Sequence, residues 1–238
     1  MQPPSEACAV LTAAGSGSRL GCEAPKALVE ISGRPLLWWA ARGLRSGGVG
    51  TIVVTAPASF LVDFRAALAE FDDVAVVAGS DRSRQASVAL GLDALGERDP
   101  DAVVLVHDAA RPLTPPEVTR RVIGAVRGGA RAVIPVLPVT DTLKTVDASG
   151  AVVGTPRRSD MVAVQTPQGF RWDVLIRAHE AGASLGADEA AAATDDAGLV
   201  EAIGGSVQTV AGDELSLKVT RPLDLALAQI LVAEETSA

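Results

Sequence analysis

The sequence predicts a wound α/β sandwich, a mostly parallel sheet with helices on both faces, and three observations point to it. Short Val/Ile/Ala runs recur along the 238 residues, and they are continuously apolar rather than alternating, as strands buried on both faces are. Stretches of helical length and period separate them, so strand and helix alternate through residue 136. Hydrophobic residues make up 48% of the chain and charged residues 21%, enough to build a core, while 3% aromatics leaves that core to Val, Leu, Ile and Ala.

Taken in order, the strand candidates are 7–12, 51–55, 74–77, 102–107 and 132–136, and the helix candidates between them are 35–46, 58–70, 84–95 and 116–127. Pro35 and Pro116 suit a first helical turn, where a missing N–H costs nothing. Gly47-Gly48 and Gly128-Gly129 suit helix ends. The crossovers are expected to be right-handed, giving a Rossmann-like three-layer sandwich. After Pro138 the helical period stops, and residues 139–165 read as a β-rich, hairpin-like arm around a Ser149-Gly150 turn. An arm with so little core of its own is expected to pack on a second subunit. Helical pattern returns at 172–183 and 188–203, followed by strands at 206–210 and 217–220 and a helix from Pro222; the Ala-rich stretch 187–193 reads as helix surface. The whole chain, 1–238, is expected to be one domain with 139–165 as a subdomain.

Charge and composition exclude several functions. Lys plus Arg total 21 against 29 Asp plus Glu, a net charge of −8, whereas nucleic acid or an anionic membrane calls for a basic face. Cys8 and Cys22 are too few for a disulfide framework or a four-cysteine zinc site. No run approaches the roughly 18 apolar residues of a membrane span, and no basic residue precedes the first apolar stretch as in a secretory signal. A cytoplasmic protein is expected.

The chemistry starts where the first strand runs into Ala13-Ala14-Gly15-Ser16-Gly17-Ser18-Arg19-Leu20-Gly21. Small residues let a ligand approach the backbone, and successive N–H groups can face phosphate oxygens. The loop lacks the terminal Gly-Lys-Ser/Thr of a Walker loop. Leu20 stands where the dinucleotide fingerprint needs a small residue, and no acidic ribose ligand follows the second strand. Arg19 and Lys26 lie on the same excursion, offering a polyanion site. Lysine is rare, with 18 Arg and only Lys26, Lys144 and Lys218 among the basic residues; a retained Lys suits a compact, flexible point charge. His107 reads as strand-end packing, His179 as solvated on a polar helix face, and Asp195-Asp196 as a helix cap or a bond back to the loops.

Ala13–Leu20 with Pro25-Lys26 resembles the signature of the sugar-phosphate nucleotidyltransferases. Val104–Pro112, Asp141–Lys144, Gln165–Phe170, Thr194–Ala197 and Leu217–Thr220 narrow the resemblance to the 2-C-methyl-D-erythritol 4-phosphate cytidylyltransferases, in that family's order from residue 9 to 226. The resemblance implies a reaction of CTP with 2-C-methyl-D-erythritol 4-phosphate that yields the CDP-alcohol and pyrophosphate, a step of the non-mevalonate isoprenoid pathway. It implies in-line attack of the acceptor phosphate on the α-phosphorus, with Mg²⁺ held mainly by the triphosphate. Carried over by position, Arg19, Lys26, Arg158 and Lys218 are the catalytic candidates. Ala13, Ala14, Gly15, Ser16, Gly17, Gly79, Arg84, Ser87, Asp108 and Ala109 are the candidates for CTP. Arg111, Thr142 and Thr166 are those for the acceptor. In the family Arg158 reaches the partner's site from the arm, which implies a homodimer.

Three positions depart from the family pattern: Thr12 replaces a proline, the loop 79–84 is one residue longer so that its arginine is Arg82 or Arg84, and Leu215 replaces an aspartate near the acceptor. A cytidylyltransferase for another polyol phosphate such as ribitol 5-phosphate, or a non-catalytic nucleotide-binding protein, are the alternatives.

Overall fold

The computed structural model describes residues 6–15, 24–190 and 192–237, with the side chains of 235–237 left aside. The expectations at Ser16, Gly17, Arg19 and Cys22 lie outside the described residues.

The elements run β1 (Ala7–Thr12), a small hairpin of β2 (Glu30–Ile31) and β3 (Arg34–Pro35), α1 (Leu36–Ser46), β4 (Val49–Ala56), α2 (Leu61–Ala67), β5 (Val74–Ala78), α3 (Arg84–Leu95), β6 (Val103–Asp108), α4 (Pro116–Arg127) and β7 (Ala132–Pro138). They continue with β8 (Thr145–Val146), β9 (Val152–Gly154), β10 (Val162–Val164), β11 (Gln168–Arg171), α5 (Trp172–Ala181), α6 (Asp196–Ala202), β12 (Gln208–Ala211) and α7 (Pro222–Ser237). The main sheet has the order β10-β7-β11-β6-β1-β4-β5, with β12 also on β7. β1, β4, β5 and β6 are mutually parallel, whereas β10 and β11 run antiparallel to their neighbours. The chain steps outward from β1 through β4 to β5 and then returns to β6 on β1's other side, so a topological switch point lies at the C-terminal end of β1.

Alternation along the central strands feeds two cores. Ala7, Ala9 and Leu11 face one side with Leu37, Leu44, Phe64 and Val122, and Cys8 and Val10 face the other with Val88, Leu92, Phe170 and Leu175. Both faces are covered, which is why the strands read as unbroken apolar runs. Each fully buried Leu or Phe contributes about 1.5–3 kcal/mol. Helix α3 lies close on the sheet because Gly91 has no side chain; a Cβ there would stand 2.5 Å from Val10 Cγ1. A third cluster, Ile31, Leu36, Val219, Ala228 and Val232, seats α7 beside the hairpin.

Within residues 139–165, β8 pairs with β9 as a two-stranded ribbon, here called the arm, while β10 extends the main sheet on β7. Gly150 takes φ +85° at the turn and Asp147 accepts from the N–H groups of Ser149 and Ala151.

Several expectations are corrected. The helix expected at 188–203 is only α6, because Asp195 caps it by accepting from Gly198 N at 2.9 Å. Upstream, a 3₁₀ turn at Leu185–Ala187 and the Asp188 side chain, which accepts from Ala190 N, bend the Ala-rich stretch out of helix. The helix expected at 58–70 is a 3₁₀ turn followed by the short α2. No strand forms at 217–220; the segment is extended, with Val219 N donating to Ala110 O at 2.8 Å. His179 is not solvated: it is 7% exposed and bonded to Asp196.

Candidate active site

Strand register brings the functional residues together. Thr12 lies level with Thr55 on β4 and with Asp108 on β6, so three strands end at one rim. Ala13 N donates to Thr55 O at 2.9 Å and Ala109 N to Thr12 O at 3.0 Å, which fixes the start of both loops. Over this rim opens a cavity of about 580 Å³. It brings together Ala13, Ala14, Gly15, Lys26, Arg84, Ser87, Asp108, Ala109 and Lys218, nine of the residues singled out in the sequence. Gly79 sits just behind: a Cβ on it would stand 3.1 Å from that of Ala14 and 3.2 Å from Ser87 Oγ.

The loop before α3 is tightly held. Ser83 caps the helix by accepting from Ala86 N and donates its hydroxyl to Gly186 O at 2.7 Å. Ser87 Oγ accepts from Ser80 N at 3.0 Å. The two arginines of this longer loop are held differently. Both Arg82 and Arg84 line the cavity, but Arg84 is the one tied to its floor: its Nε reaches Asp108 Oδ1 at 3.2 Å and its Nη1 reaches Asp196 Oδ2 at 2.7 Å.

Asp108 is the electrostatic hub. It is 7% exposed, and its other oxygen is 2.8 Å from Lys218 Nζ. Thr12 Oγ1 lies 3.2 Å from Oδ1. Burial alone would raise its pKa, but Arg84 and Lys218 outweigh burial and hold the carboxyl far below the usual range. Burial likewise opposes the Arg84 charge, and Asp196 and Asp108 overcome it. Behind the hub, burial depresses the His107 pKa to about 4, and His107 Nδ1 lies 2.8 Å from Thr166 Oγ1. Among the described residues the cavity is lined by four cations (Lys26, Arg82, Arg84, Lys218) against three carboxylates (Asp81, Asp108, Glu189), a balance of +1 in a chain whose net charge is −8.

The acceptor candidates are not part of this cavity. Thr166 is buried and accepts from Asp108 N at 3.1 Å, so it braces the end of β6. Arg111 spends Nη1 on Ser216 O at 2.6 Å and Nη2 on Val164 O at 3.2 Å, tying the Lys218 loop to β10. Thr142 is exposed on the arm. Arg158 lies at a separate hollow of about 720 Å³ at the arm's base, where it donates to Thr140 O at 2.8 Å. Sequence reasoning missed Thr12, Glu189 and Thr220 as cavity residues. Thr12 could have been found from strand ends alone, since it immediately precedes the loop.

No three His, Cys, Asp or Glu side chains cluster to hold a metal among the described residues. The carboxylates lining the cavity among the described residues are Asp108, Asp81 and Glu189.

The family model for 2-C-methyl-D-erythritol 4-phosphate cytidylyltransferase matches residues 7–234. The chain belongs to this family. It is 48% identical over 227 residues to the 2-C-methyl-D-erythritol 4-phosphate cytidylyltransferase of Rhodococcus jostii, covering 95% of each chain. The Saccharopolyspora erythraea enzyme of the same name is 49% identical, over 94% of this chain and 98% of that one. Among solved structures, the Thermus thermophilus 2-C-methyl-D-erythritol 4-phosphate cytidylyltransferase superposes with a TM-score of 0.74 at 35% identity, covering 95% and 98% of the two chains. The Anaerococcus prevotii 4-diphosphocytidyl-2C-methyl-D-erythritol synthase gives 0.80 at 28% identity, over 96% and 98%.

Proposed function

We infer that the chain joins CTP and 2-C-methyl-D-erythritol 4-phosphate to give 4-diphosphocytidyl-2-C-methyl-D-erythritol and pyrophosphate, a step in isoprenoid synthesis. The observation that carries this reading is a nearly full-length family match whose signature residues Lys26, Asp108 and Lys218 converge on one cavity. The acceptor phosphate is anionic at neutral pH, so its attack on the α-phosphorus needs no base. His107, at the end of β6, is buried, and burial lowers its pKa to about 4. The work is to hold two anions in line and to stabilise charge on the five-coordinate phosphorus. Lys26 and Lys218 supply compact point charges for this, with Arg19 as their proposed third member. The Ala13–Gly15 backbone and Ser87 take the nucleotide, and Asp108 holds Lys218 in place. Mg²⁺, carried by the triphosphate, would shield part of its charge.

The acceptor end is assigned to the arm. Val146, Val152 and Val153 expose 57–64% of their surface along the β8–β9 ribbon, and a second copy of the chain is the partner proposed to cover them. Arg158 and Thr142 of one arm would then serve the partner's cavity, making a homodimer with shared sites. A cytoplasmic setting is proposed; the described residues contain no helix long and apolar enough to cross a membrane. Pyrophosphate release from CTP with Mg²⁺, measured with 2-C-methyl-D-erythritol 4-phosphate and with ribitol 5-phosphate, tests the reading. Turnover should require the first acceptor; preference for the second, or CTP binding without turnover, would overturn it.

A further inference from the structure

A line of charged contacts continues from the cavity into the interior, past every residue assigned so far. Lys218 Nζ meets Asp108 Oδ2 at 2.8 Å, Asp108 Oδ1 meets Arg84 Nε at 3.2 Å, and Arg84 Nη1 meets Asp196 Oδ2 at 2.7 Å. Asp196 Oδ1 then lies 2.9 Å from His179 Nε2. His179 comes from α5 and Asp196 from the first turn of α6, and both are buried behind the sheet. The far ring nitrogen, His179 Nδ1, is buried with no hydrogen-bond partner. An orphaned polar atom in a core carries a cost, and the benefit that offsets it lies on the other edge of the ring. Asp196 can only accept, so His179 donates through Nε2.

We propose that His179 is a positioning residue for nucleotidyl transfer: it pins Asp196, which turns the Arg84 fork toward Asp108 and so aims Lys218 at the reacting phosphates. Arginine's planar fork explains how orientation passes along the line, because turning the Nη1 edge toward Asp196 sets where Nε points. The neighbouring bond from Gln168 Nε2 to Asp195 Oδ2, at 2.7 Å, anchors the start of α6 independently of His179. Removing the imidazole donor therefore frees the Asp196 carboxylate without releasing the helix cap.

The inference rests on the reading of Lys218 as a catalytic group, and the test separates the two. Full-length His179→Leu and His179→Gln are assayed for pyrophosphate release with CTP, 2-C-methyl-D-erythritol 4-phosphate and Mg²⁺, alongside Lys218→Ala. Rates are normalised to the fraction of molecules that bind CTP. Leucine removes the donor at similar volume, and kcat should fall about tenfold, as for loss of a hydrogen bond to a charged group, with KM for CTP within about twofold. Glutamine places an amide N–H near the position of Nε2 and should restore kcat to within about threefold. A His179→Leu enzyme with unchanged normalised kcat, or equal losses in the leucine and glutamine variants, overturns the inference. If the leucine variant does not fold, Asp196→Asn against His179→Gln gives the same contrast, and a fully active Asp196→Asn enzyme overturns it. An active Lys218→Ala enzyme would instead refute the site assignment.

Discussion

Acid stability should report the burial of His107. The ring is 1% exposed at the end of β6 and its pKa is lowered from 6.5 to about 4, mainly by burial. Below pH 6.5 the unfolded chain takes up a proton that the native ring refuses, so the unfolded state binds more protons and stability falls with pH. The loss begins as pH drops through 6.5 and is complete near 4. That interval of two to three pH units, at 1.36 kcal/mol each, amounts to about 3 kcal/mol. The carboxylates Asp108 and Asp196 are held low instead, so their contribution, present above about pH 4, disappears only at more acidic pH. Urea unfolding followed by circular dichroism between pH 4 and 7 measures the slope, with His107→Asn as the comparison because its amide can still reach Thr166. The wild-type protein should lose about 3 kcal/mol across the interval and the variant should lose little, whatever its absolute stability. A flat wild-type profile, or the same slope in the variant, would refute the reasoning.

Other outcomes follow from the same geometry. Lys26→Ala and Arg19→Ala should each lower kcat roughly a hundredfold, about 3 kcal/mol, with much smaller changes in CTP affinity by calorimetry; equal losses in both would argue against a role in the transition state. Arg158→Ala should raise the acceptor's KM, and dimers mixed from Arg158→Ala and Lys26→Ala chains should regain activity through one intact composite site; if mixing restores nothing, the shared site is wrong. Two glycines should respond with opposite signs to alanine in thermal or urea unfolding. Gly91→Ala should destabilise by roughly 1–3 kcal/mol, since the clash with Val10 outweighs the gain in helix propensity. Gly124→Ala on the exposed face of α4, with nothing within 4 Å, should stabilise by about 0.5–1 kcal/mol.

Most of the layered fold was legible because burial on both faces writes itself as unbroken apolar runs, as in β1, β4, β6 and the first half of β7; β5 carries such a run at the sheet edge although only Val76 of it is buried. The region before α6 was not legible. Its alanines favour helix by propensity, yet local bonds from Asp188 and the cap at Asp195 set a different path. The 217–220 segment misled for a related reason: its apolar residues pack as an extended link, Val219 into the cluster beneath α7, without a strand partner. Within the site, motif order located the Lys26, Asp108 and Lys218 neighbourhood, since loops at parallel strand ends must converge. It did not reveal that Arg84 bridges two carboxylates, nor that Arg111 braces a loop, because such pairings join residues about a hundred positions apart. His179 was misjudged because a helical face reads as polar until a neighbouring helix covers it, as α6 does here.

The scarcity of lysine has a practical edge. An acylating reagent meets three side-chain amines: Lys144, which holds Thr155 across the ribbon, and Lys26 and Lys218, both lining the cavity over the strand ends. Coupling this protein to a bead or a dye through its lysines therefore sends the label, at two of three positions, to the proposed catalytic mouth. Bound nucleotide should shield that mouth, while the 29 acidic side chains offer gentler handles.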